Sequence, residues 1–130
     1  MRLLGIDHVV IRARDPALME LFYVEVLGCA IERRQDSIGL VQLRAGAQLI
    51  DLVDVAGRLG RIGGAAPGAD GHNMDHLCLR VVDFDVDTVR AHLESHGVKI
   101  GDVGERYGST GEAVSLYLSD PEGNGLELRG

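Results

Sequence analysis

Apolar residues recur along this chain at two alternating spacings. Residues 6–13 are rich in branched apolar residues and bounded by turn-formers, which reads as a strand whose side chains alternate at period two. The stretch 17–27 then changes to helical spacing, with Leu18, Leu21, Phe22 and Val26 tending to one side. Asp15-Pro16 in front is a cap and first-turn pair, and Gly28 behind is a C-terminal stop. Period two returns in three short segments, 30–34, 38–44 and 48–55, with a hairpin turn at Arg44-Ala45-Gly46-Ala47. The first half therefore predicts strand, helix and three strands.

The second half repeats this plan. Asp7-His8-Val9-Val10-Ile11-Arg12 returns as Asp75-His76-Leu77-Cys78-Leu79-Arg80, 68 residues later (8 to 76). A strand over 75–82 leads to a helix capped by Asp83 or Asp85 and running to about residue 96, with Val86, Val89 and Leu93 on one face. Strands follow at 98–103, 113–119 and 125–129, and Pro121-Glu122-Gly123-Asn124 is a turn between the last two. Residues 56–73 are aperiodic and hold six glycines and a proline, so they read as a linker, with a reach of about 25 Å if flexible. The expected fold is α+β: one domain of two βαβββ modules, 1–55 and 74–130. Each sheet has one face under a helix and one left free.

Composition narrows the function classes. A chain of 130 residues, 45% hydrophobic and 25% charged, suits one ordinary globular domain. The formal net charge of −7 argues against a nucleic-acid partner. No apolar run is long enough to span a membrane, and the N-terminus becomes charged too early for a signal peptide. Cys29 and Cys78 lack metal or redox spacing and read as free thiols in a reducing cytoplasm.

The free faces carry the candidate chemistry. Alternation puts His8, Val10 and Arg12 on one face of the first strand, and His76, Cys78 and Arg80 on the matching face of its copy. In the last strand of each half, Ile50 and Leu52 suit the helix side and leave Asp51 on the free face, and Leu126 and Leu128 likewise leave Glu127. A lone strand histidine usually hydrogen-bonds a neighbour. Two histidines at equivalent positions, each matched by a carboxylate, instead suggest a divalent-metal site suited to Zn, Fe, Mn, Co or Ni. Arg12 and Arg80 suggest an anionic ligand. The polar stretch 105–111 reads as a loop that could supply Arg106 or Tyr107 to substrate. Ser115 and Tyr117 are expected on the free face, and His72, His92 and His96 in solvent.

The chain resembles the vicinal oxygen chelate superfamily, which includes glyoxalase I, fosfomycin-resistance thiol transferases, methylmalonyl-CoA epimerase, extradiol dioxygenases and bleomycin-resistance proteins. The resemblance rests on Ile6-Asp7-His8-Val9-Val10-Ile11-Arg12, Leu21-Phe22-Tyr23-Val24-Glu25-Val26-Leu27-Gly28, Asp75-His76-Leu77-Cys78-Leu79, and Asp120-Pro121-Glu122-Gly123-Asn124-Gly125-Leu126-Glu127-Leu128. It implies paired βαβββ modules forming a metal-holding cup, with His8, His76 and Glu127 as ligands. The family's remaining ligand position falls on Asp51, a shorter acid than the usual Glu or Gln. The implied activity is that of a metal-dependent lyase or isomerase of the glyoxalase I type, stabilising an enediolate. Glu127 is the expected base, and Asp51 the alternative. Arg12 matches a family arginine that contacts glutathione, whereas Val55 stands where glyoxalase I carries an asparagine for it. A dioxygenase or thiol transferase, and a metal-free ligand-binding protein, are the alternatives. The resemblance also implies a homodimer.

Overall fold

The computed structural model describes all 130 residues and divides them into two compact units, Met1–Asn73 and Met74–Gly130. The first unit is a four-stranded sheet of β1 (His8–Ala13), β2 (Ala30–Gln35), β3 (Leu40–Ala45) and β4 (Gln48–Asp54), ordered β1-β4-β3-β2. β1 lies parallel to β4, and the other pairs are antiparallel. The connection from β1 is α1 (Pro16–Leu21), which widens without a break into a π turn over Phe22–Val26. Asp15 caps α1 by accepting from the Leu18 amide at 3.0 Å, and Pro16 fills the first turn. The buried face of this helix is Met19, Phe22 and Tyr23, not the face expected from helical spacing, and Leu18 and Leu21 remain exposed. Met19, Phe22 and Tyr23 are themselves spaced i, i+3, i+4, so the segment offers two overlapping helical faces that share Phe22, and it buries the one that carries Met19 and Tyr23. Ile11, Leu43, Ile50 and Leu52 complete this core.

Residues 56–73 are ordered against the first unit. A 3₁₀ turn covers Gly60–Gly63, and Gly68 and Gly71 bridge each other. Two contacts with β1 hold the segment. The Arg12 guanidinium donates to the carbonyls of Gly60 (3.1 Å), Gly64 (2.8 Å) and Ala65 (2.9 Å). The Asn73 amide bonds both main-chain groups of Arg12, at 3.2 and 2.9 Å. A guanidinium with five donors can gather several carbonyls at once, so a glycine-rich segment without periodicity still has a defined path.

The second unit repeats the topology with β5 (His76–Arg80), β6 (Ile100–Gly108), β7 (Gly111–Ser119) and β8 (Gly125–Arg129), ordered β5-β8-β7-β6, and α2 (Val86–Ser95). Asp85 is the α2 cap, accepting from both the amide (2.8 Å) and the hydroxyl (2.7 Å) of Thr88. Leu93, Leu116, Leu118, Leu126 and Leu128 form the core. The expected loop at 105–111 is largely strand. Residues 105–108 continue β6 in register with β7, Glu105 opposite Val114 and Tyr107 opposite Glu112, and only Ser109 and Thr110 turn the chain. The Asp120–Asn124 turn is tied by the buried Asp120 carboxylate, which accepts from the amides of Glu122 (3.0 Å) and Asn124 (2.9 Å) and from the Asn124 side chain (2.7 Å). No helix is long and apolar enough to cross a membrane.

Candidate functional site

Each unit brings one histidine and one carboxylate to equivalent strands. In the first, β1 carries His8 and β4 carries Asp51, with Val10 opposite Asp51 on one side and Gln42 of β3 on the other. Asp51 is buried, and the Gln42 amide donates to both its oxygens at 3.1 and 3.3 Å. In the second, Cys78 of β5 and Tyr117 of β7 flank Glu127 of β8 in the same register. His76 Nε2 stands 3.2 Å from Glu127 Oε2.

Both histidines are oriented by the residue before them. Asp7 meets His8 Nδ1 at 2.7 Å, and Asp75 meets His76 Nδ1 at 2.6 Å. An ionised carboxylate only accepts, so Nδ1 carries the proton and Nε2 is left to bind something else. This is the arrangement that metal-ligating histidines show, one ring nitrogen held by an acceptor and the other free. The hydrogen bond to Asp7 raises the His8 pKa, against the effect of desolvation, with the Asp51 charge adding to it.

Glu127 is the more elaborately held acid. Ser115, fully buried, donates a short hydrogen bond to its Oε1, and Tyr117 and Cys78 also hydrogen-bond to it. Burial alone would raise this carboxyl. The donations from Ser115, Tyr117 and Cys78, with His76 beside them, outweigh it and hold the pKa below the usual glutamate value. The Cys78 thiol is pushed up to about 11, first by burial and then by the Glu127 charge. The Tyr117 ring packs edge-on to His76 with centroids 5.6 Å apart, and Arg106 lies over its face at 5.7 Å.

The donor set fits a divalent ion. Two ligands about 2.1 Å from one ion and roughly 100° apart lie about 3.2 Å from each other, the separation of His76 Nε2 and Glu127 Oε2. His76 and Glu127 are the pair so spaced, and no group of three or more His, Cys, Asp or Glu side chains is gathered for an ion.

These features have counterparts in known proteins. The profile of the Glyoxalase/Bleomycin resistance protein/Dioxygenase superfamily matches residues 5–128. The chain belongs to that superfamily. Among curated proteins it is 32% identical to Virulence protein STM3117 of Salmonella typhimurium, over 95% of this chain and 81% of that one. The crystal structure of that virulence protein superposes with a TM-score of 0.82 at 29% identity, covering 99% of this chain and 98% of the other. A lactoylglutathione lyase from Agrobacterium tumefaciens shares the fold at a TM-score of 0.72 and 22% identity, over 99% of this chain and 95% of the other. Membership accounts for the two repeated sheets and for their pairing of β1 with β4 and β5 with β8.

The arginines and the tyrosine expected to meet a ligand lie in different surroundings. Arg12 is committed to the carbonyls of residues 60–65. Arg80 is exposed at the end of β5. Arg106 pairs with Asp102 and donates to the Glu105 carbonyl at 2.8 Å. Tyr107 is 83% exposed on β6. Gln42 and Arg129 escaped the sequence reading. Their placement beside Asp51 and two residues past Glu127 was readable from strand alternation, but Gln42 could be matched to Asp51 only once the register was known.

Proposed function

We propose that this protein is a metal-dependent lyase or isomerase of the glyoxalase type, acting on a small anionic or thiol-conjugated substrate. His8, Asp51, His76 and Glu127 are its ligands for one divalent ion of the Ni, Co, Zn, Mn or Fe group. The observation that supports this best is the doubled Asp-His pair, which holds Nδ1 of each histidine, together with the 3.2 Å approach of His76 Nε2 to Glu127. When bound, such an ion polarises two neighbouring oxygens of a substrate and eases loss of a proton from the carbon beside them.

The two carboxylates divide the remaining work. Glu127 accepts from Ser115 through Oε1, with Tyr117 and Cys78 on either side, and this fixes its position while Oε2 faces His76, so it serves as an anchored ligand. Asp51 is held by a single amide, from Gln42, and is the freer acid to accept and return the proton. This reverses the assignment drawn from the resemblance, which made Glu127 the base. His76 is positioned by Asp75 on one side and by the Tyr117 ring on the other.

Metal analysis of protein purified without chelator tests the reading. Close to one divalent ion per chain is expected, and His76→Ala should lose it. Protein that stays metal-free when offered Ni, Co, Zn and Mn would sink the proposal. Bound iron with substrate-dependent oxygen uptake would move the assignment to a dioxygenase.

A further inference from the structure

The second unit buries a cation with no counter-charge. Arg129 ends β8 two residues after Glu127, so the two side chains share a face. It is 4% exposed, and no carboxylate pairs with it. Nη2 donates to the carbonyls of Gly111 at 2.7 Å and Arg106 at 3.4 Å, and Nε is buried without any acceptor. Arginines are rarely buried this deeply unless an anion meets them.

The first unit serves as an internal control. Arg129 lies opposite Ser115 in the register, and the equivalent place in the first sheet, opposite Leu40, is Val53. Val53 is also buried, at 6% exposure. An apolar side chain therefore fills this place in the same topology. The first unit's guanidinium comes instead from the neighbour of Val53 on β1, Arg12, which is less buried, donates to three carbonyls and likewise has an Nε without an acceptor. The β6–β7 hairpin is shaped around the Arg129 guanidinium. A Cβ at Gly108 would overlap Arg129 Nη1, and its hairpin partner Gly111 has φ +96°. Gly108 thus makes room for the group, and Nε is left without an acceptor.

We propose that Arg129 is the anion-binding residue of this protein, taking a carboxylate or phosphate group of the ligand. A planar fork of N–H donors matches two oxygens of either group. The guanidinium reaches to the β6–β7 hairpin, so the anionic group is placed at that end of the sheet. This deepens the proposed function and rests on it for the role of Glu127, but the anion site can be tested separately.

The test uses the full chain, labelled with ¹⁵N in arginine, titrated with inorganic phosphate and, in parallel, with acetate. Saturable movement of the Arg129 Nε–H resonance by either anion is expected, and the tighter of the two names the class. Arg129→Met keeps the bulk and supplies the apolar character that Val53 has, and its folding is checked by thermal melting. It should weaken anion binding about tenfold or more, while Arg33→Ala, an exposed arginine of the first unit, changes it by about twofold at most. Glu127→Gln should lose metal and keep anion binding, which separates failure of the metal reading from failure of this one. An Arg129 resonance unmoved by both anions, linear drift without saturation (an adventitious ion only), or unchanged affinity in folded Arg129→Met would overturn the proposal.

Discussion

Asp51 and Glu127 hold the same place in two copies of one topology and have different neighbours. Each sits on the last strand of its sheet, between a parallel partner on one side and an antiparallel partner on the other. Around Asp51 these partners are Val10 and Gln42, and around Glu127 they are Cys78 and Tyr117, with Ser115 reaching in as a third donor. One step further along the strand the contrast is sharper, Val53 against Arg129. The backbone repeats, and the difference in chemistry comes from cross-strand neighbours alone. A duplicated scaffold can in this way present two acids with two roles, one anchored and one free.

The comparison can be broken most forcefully through the shared core. Ile50 and Leu126 are equivalent and both nearly inaccessible. Truncating either to alanine should destabilise the protein by about 2–5 kcal/mol, read from urea unfolding midpoints. A large inequality between the two would show that the repeats do not share the load. Next come the donors that distinguish the acids. Ser115→Ala should weaken metal affinity about 10- to 100-fold, in the range for loss of a group that orients a ligand. Gln42→Ala should cost less, because Asp51 is not the anchored ligand. Competition with a chromogenic chelator measures both, and equal losses would erase the proposed division of roles.

The helix caps give the smallest effect. Asp85 accepts from both donors of Thr88, and those hydrogen bonds, the hydroxyl first, lower its pKa from 3.8. A depressed folded pKa contributes stability above the unfolded value that is lost as pH falls through the folded one. Asp85→Asn should therefore be slightly destabilising at pH 6 and less so at pH 2. Urea melts at the two pH values check this, and a penalty that is the same at both would remove the electrostatic part of the cap.

Much of this arrangement was legible along the chain, and the reason is local. Strand alternation depends only on near neighbours, so the faces of His8, Asp51, His76 and Glu127 could be read directly, as could the caps at Asp15 and Asp85. The turn at Pro121–Asn124 was equally plain. What was hidden depends on pairing between distant residues. The grip of Gln42 on Asp51 needs the β3–β4 register, and the grip of Ser115 on Glu127 needs the β7–β8 register. Of the helix face read from spacing Phe22 is buried and Leu18 and Leu21 are not, because Met19, Phe22 and Tyr23 make an equally helical set that spacing alone does not rank. Residues 105–108 are polar and glycine-containing, and only the company of β7 makes them strand. Arg12 shows the same limit: a guanidinium on the free face of a strand suggests a ligand, but three carbonyls from a distant segment claimed it first.

Asn73 has a further consequence. β1 is the outer strand of its sheet, and a bare outer strand invites another chain to pair with it. By offering one donor and one acceptor to the main chain of Arg12, a single amide side chain imitates the neighbour that the strand lacks. The main-chain groups of Arg12 are thereby already paired on the side of β1 away from β4.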